Sequence, residues 1–431
     1  MAETQTKNYR WIVVILLFFA TTINYLDRQV IGLLKPTLEI QFNWTETDYS
    51  HIVMAFSGAY ALGLLAFGGF IDKIGTKLGY TISLIVCSLA AMLHAIVKTT
   101  LGFGVVRAAL GLGESGNFPA AIKVVAEWFP KRERALATGI FNSGANIGAV
   151  VAPVMVPWIL GVYGWQMAFL ITGAIGFVWL LFWWFIYEVP ARHKKISKEE
   201  FEFIHSDNVE TAGESEVPPV KIKWLQLFGV RQTWAFVVGK LLTDPIWYFF
   251  LFWLPSYFST TFNLDLKKPS LPLVLVYTAT TVGSIGGGYL SSWFIKRGMP
   301  VFKARKTAMF LFALCVLPIF GARYATNVWQ AVGLISLAAA AHQAWSANIF
   351  TTASDMFPKQ AISSVVGIGG MAGSVGGIFF PLLIGFILET YKEAGNLTAG
   401  YNIIFTMCAC AYLLAWVIMH FITPKMKPVK L

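Results

Sequence analysis

Long apolar stretches follow one another along almost the whole chain, each ended by a few polar or charged residues. A helix needs about 20 apolar residues to cross the ~30 Å hydrocarbon core of a bilayer. Runs of that order lie near 11–33, 51–71, 78–98, 101–127, 135–159, 165–187, 233–259, 271–295, 307–323, 328–354, 361–386 and 400–422. They predict an all-α membrane protein with twelve transmembrane helices, each satisfying its own backbone polar groups in lipid. The runs are continuous rather than ten-residue alternations, which argues against a transmembrane β-barrel. One long polar segment interrupts the series. The expected organisation is an N-terminal six-helix bundle at 1–187, a linker at 188–230 and a C-terminal six-helix bundle at 231–431. Inside the linker, Ser197-Lys198-Glu199-Glu200 has the form of a capping box, and Phe201 and Ile204 share one helical face. That pattern predicts a short amphipathic helix.

Composition removes the soluble alternatives. Of 431 residues, 56% are apolar and 13% charged, against about 45–50% and 25% in soluble domains. The net charge of +11 could suggest nucleic acid, yet the basic residues form no single face. Under the span assignment most of the 33 Lys and Arg fall on the side of both termini. The positive-inside rule makes that side cytoplasmic, so the charge reads as orientation and no nucleic-acid partner is expected. Lys425, Lys427 and Lys430 form a basic tail suited to anionic lipid. The first apolar stretch lacks a cleavage site and continues into Asp27 and Arg28, so it is expected to be a retained span. The six histidines are scattered, and no H-E-x-x-H, G-x-S-x-G or phosphate-binding glycine loop occurs. The four cysteines all fall in apolar runs without metal-ligand spacing. No enzyme activity, catalytic residue, metal or cofactor is expected.

The two halves repeat. Trp128-Phe129-Pro130-Lys131 recurs as Met356-Phe357-Pro358-Lys359, and at the same spacing Gly139 meets Gly367, Gly148 meets Gly376 and Pro153 meets Pro381. A second match relates Gly68 and Asp72 to Gly288 and Ser292. Pseudo-symmetric parallel halves of a membrane protein usually enclose a central site. With Gly68-Gly69-Phe70-Ile71-Asp72-Lys73-Ile74-Gly75-Thr76-Lys77 after the second span, the sequence resembles the major facilitator superfamily over nearly its full length. The resemblance implies the major facilitator fold and a gating role for Gly68, Asp72, Gly75 and Lys77. Asp72 is suited to capping a neighbouring helix N-terminus.

Ionisable residues inside spans cost about 2.5–3.5 kcal/mol on insertion scales and usually face a cavity or a partner. Asp27 and Arg28 on span 1, Arg107 and Glu114 on span 4, and Lys240 and Asp244 on span 7 are such residues. Arg107 and Glu114 are seven residues apart, about 10 Å along the helix, so each needs another partner, and Asp27 is the expected one for Arg107. Glu114 has no Lys or Arg one turn away and is a candidate proton carrier. Lys240 and Asp244 are spaced to pair within one helix, as an ion pair or a gate beside Pro245. If they do, no second cation is left for a second substrate carboxylate, so a monocarboxylate is expected. Asn142 and Asn146 lie one turn apart, and at the repeat spacing Asn146 meets Ser374 and Glu114 meets His342. His342, Gln343, Trp345 and Ser346 supply donors, acceptors and a ring for a polyhydroxylated ligand.

Asn24-Tyr25-Leu26-Asp27-Arg28, Arg107, Gly113-Glu114-Ser115-Gly116-Asn117-Phe118-Pro119 and the run from Glu127 to Arg134 are similar to the anion:cation symporter family, most of all its bacterial hexuronate transporters. This resemblance implies that Arg28 binds the substrate carboxylate, that Tyr25 and Tyr60 line the sugar site, that Asp27 and Glu114 carry protons, and that Arg107 reports the state of Asp27. The expected function is import of a sugar-acid anion with protons across a bacterial inner membrane by a monomer, through alternating access. An aldonate or aldarate substrate, sodium coupling and a transporter-like sensor are the alternatives.

Overall fold

The structure, a computed structural model, describes residues 8–206, 224–264 and 271–429. The centre of the polar linker, 207–223, and Lys430 of the basic tail lie outside the described residues. Fifteen α-helices and no strand occur among the described residues. They are α1 (Tyr9–Phe42), α2 (Glu46–Ile74), α3 (Thr76–Leu93), α4 (Thr100–Glu114), α5 (Asn117–Trp128), α6 (Lys131–Tyr163), α7 (Trp165–Ile186), α8 (Lys198–Ile204), α9 (Arg231–Phe252), α10 (Leu254–Phe262), α11 (Leu271–Lys296), α12 (Val301–Val316), α13 (Val328–Met356), α14 (Ile362–Glu393) and α15 (Leu397–Ile422).

Nine helices among the described residues are long and apolar enough to cross a membrane by themselves. Of the other three spans, α13 is one unbroken helix and two are broken. The fourth divides into α4 and α5 at Ser115-Gly116, because Pro119 has no N–H to offer the Ser115 carbonyl. The seventh divides into α9 and α10 beside Pro255 for the same reason. The ninth finishes as a 3-10 segment, Leu317–Tyr324, that opens with Pro318. Thirty-residue helices such as α1, α6 and α14 run well past their apolar runs, which explains why the predicted span ends are too short.

Two compact bodies result. The first holds the described residues up to Trp224 together with Phe357–Ile368, the approach to and first turns of α14. Its helices pair as α1 with α6 and α7, α2 with α4, and α3 with α4 and α7. The second holds the described residues of Leu225–Met356 and those from Gly369 to Val429, with α9 against α15, α11 against α13, and α12 against α13 and α15. The pairing scheme repeats from one body to the other, as the sequence repeat implies.

Helices in lipid associate by close packing rather than by hydrophobic expulsion, so small residues decide which faces meet. A Cβ on Gly113 would lie 2.5 Å from the Cys87 backbone nitrogen. Gly113→Ala therefore forces α3 and α4 apart. A loss of about 1–3 kcal/mol is expected, readable as a lower melting temperature of the purified protein. An unchanged melting temperature would contradict the packing argument.

The predicted linker helix is α8, with Ser197 as its N-cap. Its buried residues are Glu200 and Ile204, whereas Phe201 is exposed. Glu200 accepts from the Tyr9 and Arg10 backbone N–H groups at 2.9 and 3.1 Å and pairs with the Arg10 guanidinium at 3.2 Å. It caps the N-terminus of α1 from outside, where the helix dipole favours a carboxylate. Arg10 also reaches Glu133 on α6 at 3.0 Å. The linker helix is thus fastened to the first body by the Glu200 charge and by Ile204, while Phe201, the other residue of the expected apolar face, stays exposed.

Candidate functional site

The charges of the first body meet where α1 faces the end of α4. Arg28 Nε and Nη2 donate to Glu114 Oε2 at 2.9 and 2.7 Å. The guanidinium carbon lies 4.7 Å from the Tyr25 ring centroid, 4.8 Å from Tyr60 and 5.1 Å from Phe56. Three rings and one carboxylate therefore frame the cation. Cation–π contact stabilises a guanidinium that has left water. The Arg28 side chain retains 23% of its exposure, while that of Glu114 retains none.

This arrangement answers one expectation and corrects another. Glu114, which needed a partner beyond span 4, finds it in Arg28, a pairing that sequence spacing alone did not name. Arg107 is not bonded to Asp27. Its Nη2 donates to the Arg28 carbonyl oxygen at 2.7 Å, its guanidinium lies over Phe56 at 4.6 Å, and Nε and Nη1 have no hydrogen-bond partner among the described residues. Both carboxyl oxygens of Asp27 are likewise buried without a hydrogen-bond partner there. Consecutive helical residues point about 100° apart, so Arg28 can face Glu114 while Asp27 cannot. Phe56, which sequence reasoning missed, belongs to this frame; one turn before Tyr60 on α2, its spacing was the available signal.

The second body has a matching place. The backbone carbonyl of Thr22 lies 2.5 Å from where a Gly148 Cβ would be, with Leu26 N behind it, and the Leu241 carbonyl lies 2.8 Å from the corresponding point on Gly376, with the Pro245 ring behind it. Gly148 and Gly376 are repeat partners, so Thr22 matches Leu241 and Leu26 matches Pro245. Carried along both helices, Tyr25 matches Asp244 and Arg28 matches Trp247. The contacts agree: Arg28 bonds Glu114, and Trp247 stacks on His342, the repeat partner of Glu114, with centroids 5.4 Å apart and planes 3° from parallel. An ion pair in one body is replaced by a ring stack in the other. His342 Nδ1 is hydrogen-bonded to the Tyr412 hydroxyl. Trp247 and Tyr412 were not foreseen, because the repeat is too diverged in spans 1 and 7 to be aligned without the packing.

The remaining predicted residues separate. Asn142 and Asn146 are buried along α6. His342, Gln343, Trp345 and Ser346 are buried on α13, and Trp345 meets Tyr412 edge-on at 5.5 Å. The Ser374 hydroxyl donates within α14, to Gly370 O at 3.0 Å. Lys240 and Asp244 form the expected pair, Nζ to Oδ2 at 2.6 Å. No group of three or more His, Cys, Asp or Glu able to hold a metal ion occurs among the described residues.

The last two turns of α2 are tied to the start of α14. Asp72 accepts from Lys123 Nζ at 2.8 Å and, as an N-cap supplied from another helix, from the backbone N–H of Ser363 at 3.3 Å and of Ser364 at 2.7 Å. The Ser364 hydroxyl donates to it as well, at 2.7 Å. Gly68 permits the approach, since a Cβ there would fall 2.6 Å from Ser363 O. Gly75 turns the chain at a φ of 91°, a left-handed conformation that costs glycine nothing. Lys77 pairs with Glu188 at 3.0 Å. In the second body Ser292 stands in place of Asp72, and the buried charge there is instead Arg305, held by Asp355 at 3.1 Å and Ser291 at 2.8 Å.

The two bodies are all-helical and share a helix-pairing pattern, and each encloses ionisable side chains within its apolar helices. The profile of the Major Facilitator Superfamily matches residues 17–381, and the chain belongs to that family. It is a membrane transporter and not an enzyme. It is 31% identical over 388 residues to the hexuronate transporter of Escherichia coli (strain K12), covering 89% of each chain. It is 34% identical over 292 residues to the galacturonate transporter of Dickeya chrysanthemi, covering 67% of this chain and 84% of that one. Among solved structures it is similar to the proton:xylose symporter XylE, with a TM-score of 0.71, 15% identity and 97% of each chain covered.

Proposed function

We propose that the protein is a proton-coupled symporter that imports a sugar-acid anion, a hexuronate such as glucuronate or galacturonate, by alternating access. The observation that carries this reading is the Arg28 guanidinium, held by Glu114 and framed by Tyr25, Tyr60 and Phe56. A guanidinium fork matches a carboxylate in two parallel hydrogen bonds, and tyrosine offers a ring face and a hydroxyl to a sugar. Arg28 Nε and Nη2 are both committed to Glu114 Oε2, so a substrate carboxylate competes with Glu114 for the same donors. A proton on Glu114 removes its charge and releases Arg28 to the substrate. Asp27, a second buried carboxyl and the chain neighbour of Arg28, is the further proton site, and Arg107 donates to the Arg28 carbonyl.

The curated relatives support the substrate class by their named activities. The basic bias of the loops supports cytoplasmic termini in a bacterial inner membrane. One proton per monoanion makes the cycle electroneutral; two make it electrogenic, adding about 2.3 kcal/mol per 100 mV of inside-negative potential. The test is uptake of labelled glucuronate into proteoliposomes under an inward proton gradient. Gradient-driven uptake that unlabelled galacturonate competes away and glucose does not is expected. Uptake indifferent to the gradient would overturn the coupling, and uptake indifferent to uronates would overturn the substrate.

A further inference from the structure

We propose that Asn117 is a positioning residue for proton coupling: held between Tyr80 on α3 and Thr21 on α1, it fixes the break between α4 and α5 so that only a proton on Glu114 releases Arg28. This deepens the function proposed above and rests on it, and every residue concerned belongs to the first body.

Glu114 is the last residue of α4, and Asn117 opens α5 three residues later. Carbonyls at the end of a helix lose their helical partners, and hydroxyls take two of them here. Ser115 Oγ donates to Leu112 O, and Ser83 Oγ, from α3, donates to Gly113 O, both at 2.6 Å. An asparagine at a helix start ordinarily caps that helix, yet the start of α5 has no side-chain cap. The Asn117 amide reaches outward instead. Its Oδ1 accepts from the Tyr80 hydroxyl, and its Nδ2 donates to Thr21 Oγ1 at 3.3 Å. The order of donors is determined, because the Thr21 hydroxyl donates to Leu17 O at 3.0 Å and its oxygen is left to accept from the amide. Tyr80 and Thr21 are 0% exposed and Asn117 is 2% exposed. Polar groups so enclosed are tolerated only when hydrogen-bonded, and one amide satisfies both hydroxyls.

The helix α1 is thereby tied to the α4–α5 break at two levels. Thr21 and Arg28 are seven residues apart, about 10 Å along one face of α1. Arg28 holds Glu114 by charge, at 2.7 Å, whereas Thr21 holds Asn117 without charge. A proton on Glu114 dissolves the first tie and leaves the second. Coupling needs that asymmetry. If the end of α4 could shift away from α1, Arg28 would be open to a substrate carboxylate while Glu114 was still ionised, and the anion would cross without a proton. The neutral tie keeps ionised Glu114 against Arg28, so that loss of its charge is the way to free the cation.

The experiment follows downhill uptake of labelled glucuronate into proteoliposomes at clamped membrane potential, together with the internal acidification reported by a trapped pH indicator, and reads the protons carried per substrate. Thr21→Val keeps the shape and removes the hydroxyl, Thr21→Ser keeps the hydroxyl, and Tyr80→Phe removes the other end of the tie. The proton-free share of uptake is expected to rise about 2- to 10-fold in Thr21→Val and Tyr80→Phe, the size of one neutral hydrogen bond, and to stay at the wild-type value in Thr21→Ser. A tie that served packing alone would lower the melting temperature and the total uptake and leave the protons per substrate unchanged. That result in the folded variants overturns the inference while wild-type coupling stands, and if Thr21→Val does not fold, Tyr80→Phe decides. If the wild type carries no protons with glucuronate, the coupling reading itself fails, and this inference with it.

Discussion

Arg28→Lys is expected to weaken sugar-acid uptake about 10- to 100-fold, measured as kcat/KM in proteoliposomes and as loss of ligand-induced thermal stabilisation. Two charge-assisted hydrogen bonds contribute about 1.5–3 kcal/mol each, and a single ammonium cannot present both in the plane of a carboxylate. Lysine is the informative replacement. It keeps a cation opposite Glu114, so the buried carboxylate stays compensated and folding is not the quantity being tested. Alanine would confuse the two, because breaking a buried pair from one side costs about 3–5 kcal/mol by itself. Near-normal uptake by Arg28→Lys would show that the substrate carboxylate is bound elsewhere.

Glu114→Gln should separate binding from energy coupling. The amide occupies the same space but carries no charge and takes up no proton, so Arg28 is released permanently. Exchange of internal for external substrate is expected to continue, while gradient-driven accumulation disappears. One pH unit of inward gradient stores about 1.4 kcal/mol per coupled proton, up to about tenfold accumulation per proton, and the variant should accumulate nothing above equilibrium. The sign of the pH effect follows from the competition for Arg28. In the wild type, apparent affinity should improve as pH falls, because protonated Glu114 gives up its hold on Arg28. In Glu114→Gln that dependence should be flat. Uphill uptake by the variant would remove Glu114 from the coupling mechanism.

The partner of Arg28 also shows where sequence reading stops. Charge cost alone singles out Asp27, Arg28, Arg107 and Glu114, because a bilayer tolerates such residues only when they are enclosed. Which acid meets which base depends on the rotation of α1 about its axis. That rotation is fixed by Gly144 and Gly148 on α6, where a Cβ would fall 2.4 Å from Phe18 O and 2.5 Å from Thr22 O. With α1 seated this way, Arg28 rather than Asp27 reaches α4. Lys240 and Asp244 could be paired from sequence, since both lie on one helix and their spacing is set by helix geometry.

The sequence by itself determined what is periodic or local: the membrane spans, the repeat, the glycine motif carrying Asp72, the cap of α8 and the intrahelical ion pair. Each follows from the length of an apolar run or from residues within a turn or two of each other. The tertiary structure decided what depends on contacts across helices. It engaged Arg28 with Glu114 and left Arg107 on a backbone carbonyl, docked α8 through Glu200 instead of Phe201, and put Trp247 and His342 where the first body has an ion pair. Those outcomes turn on helix azimuth and on glycine contacts between segments far apart in the chain, neither of which a linear pattern records.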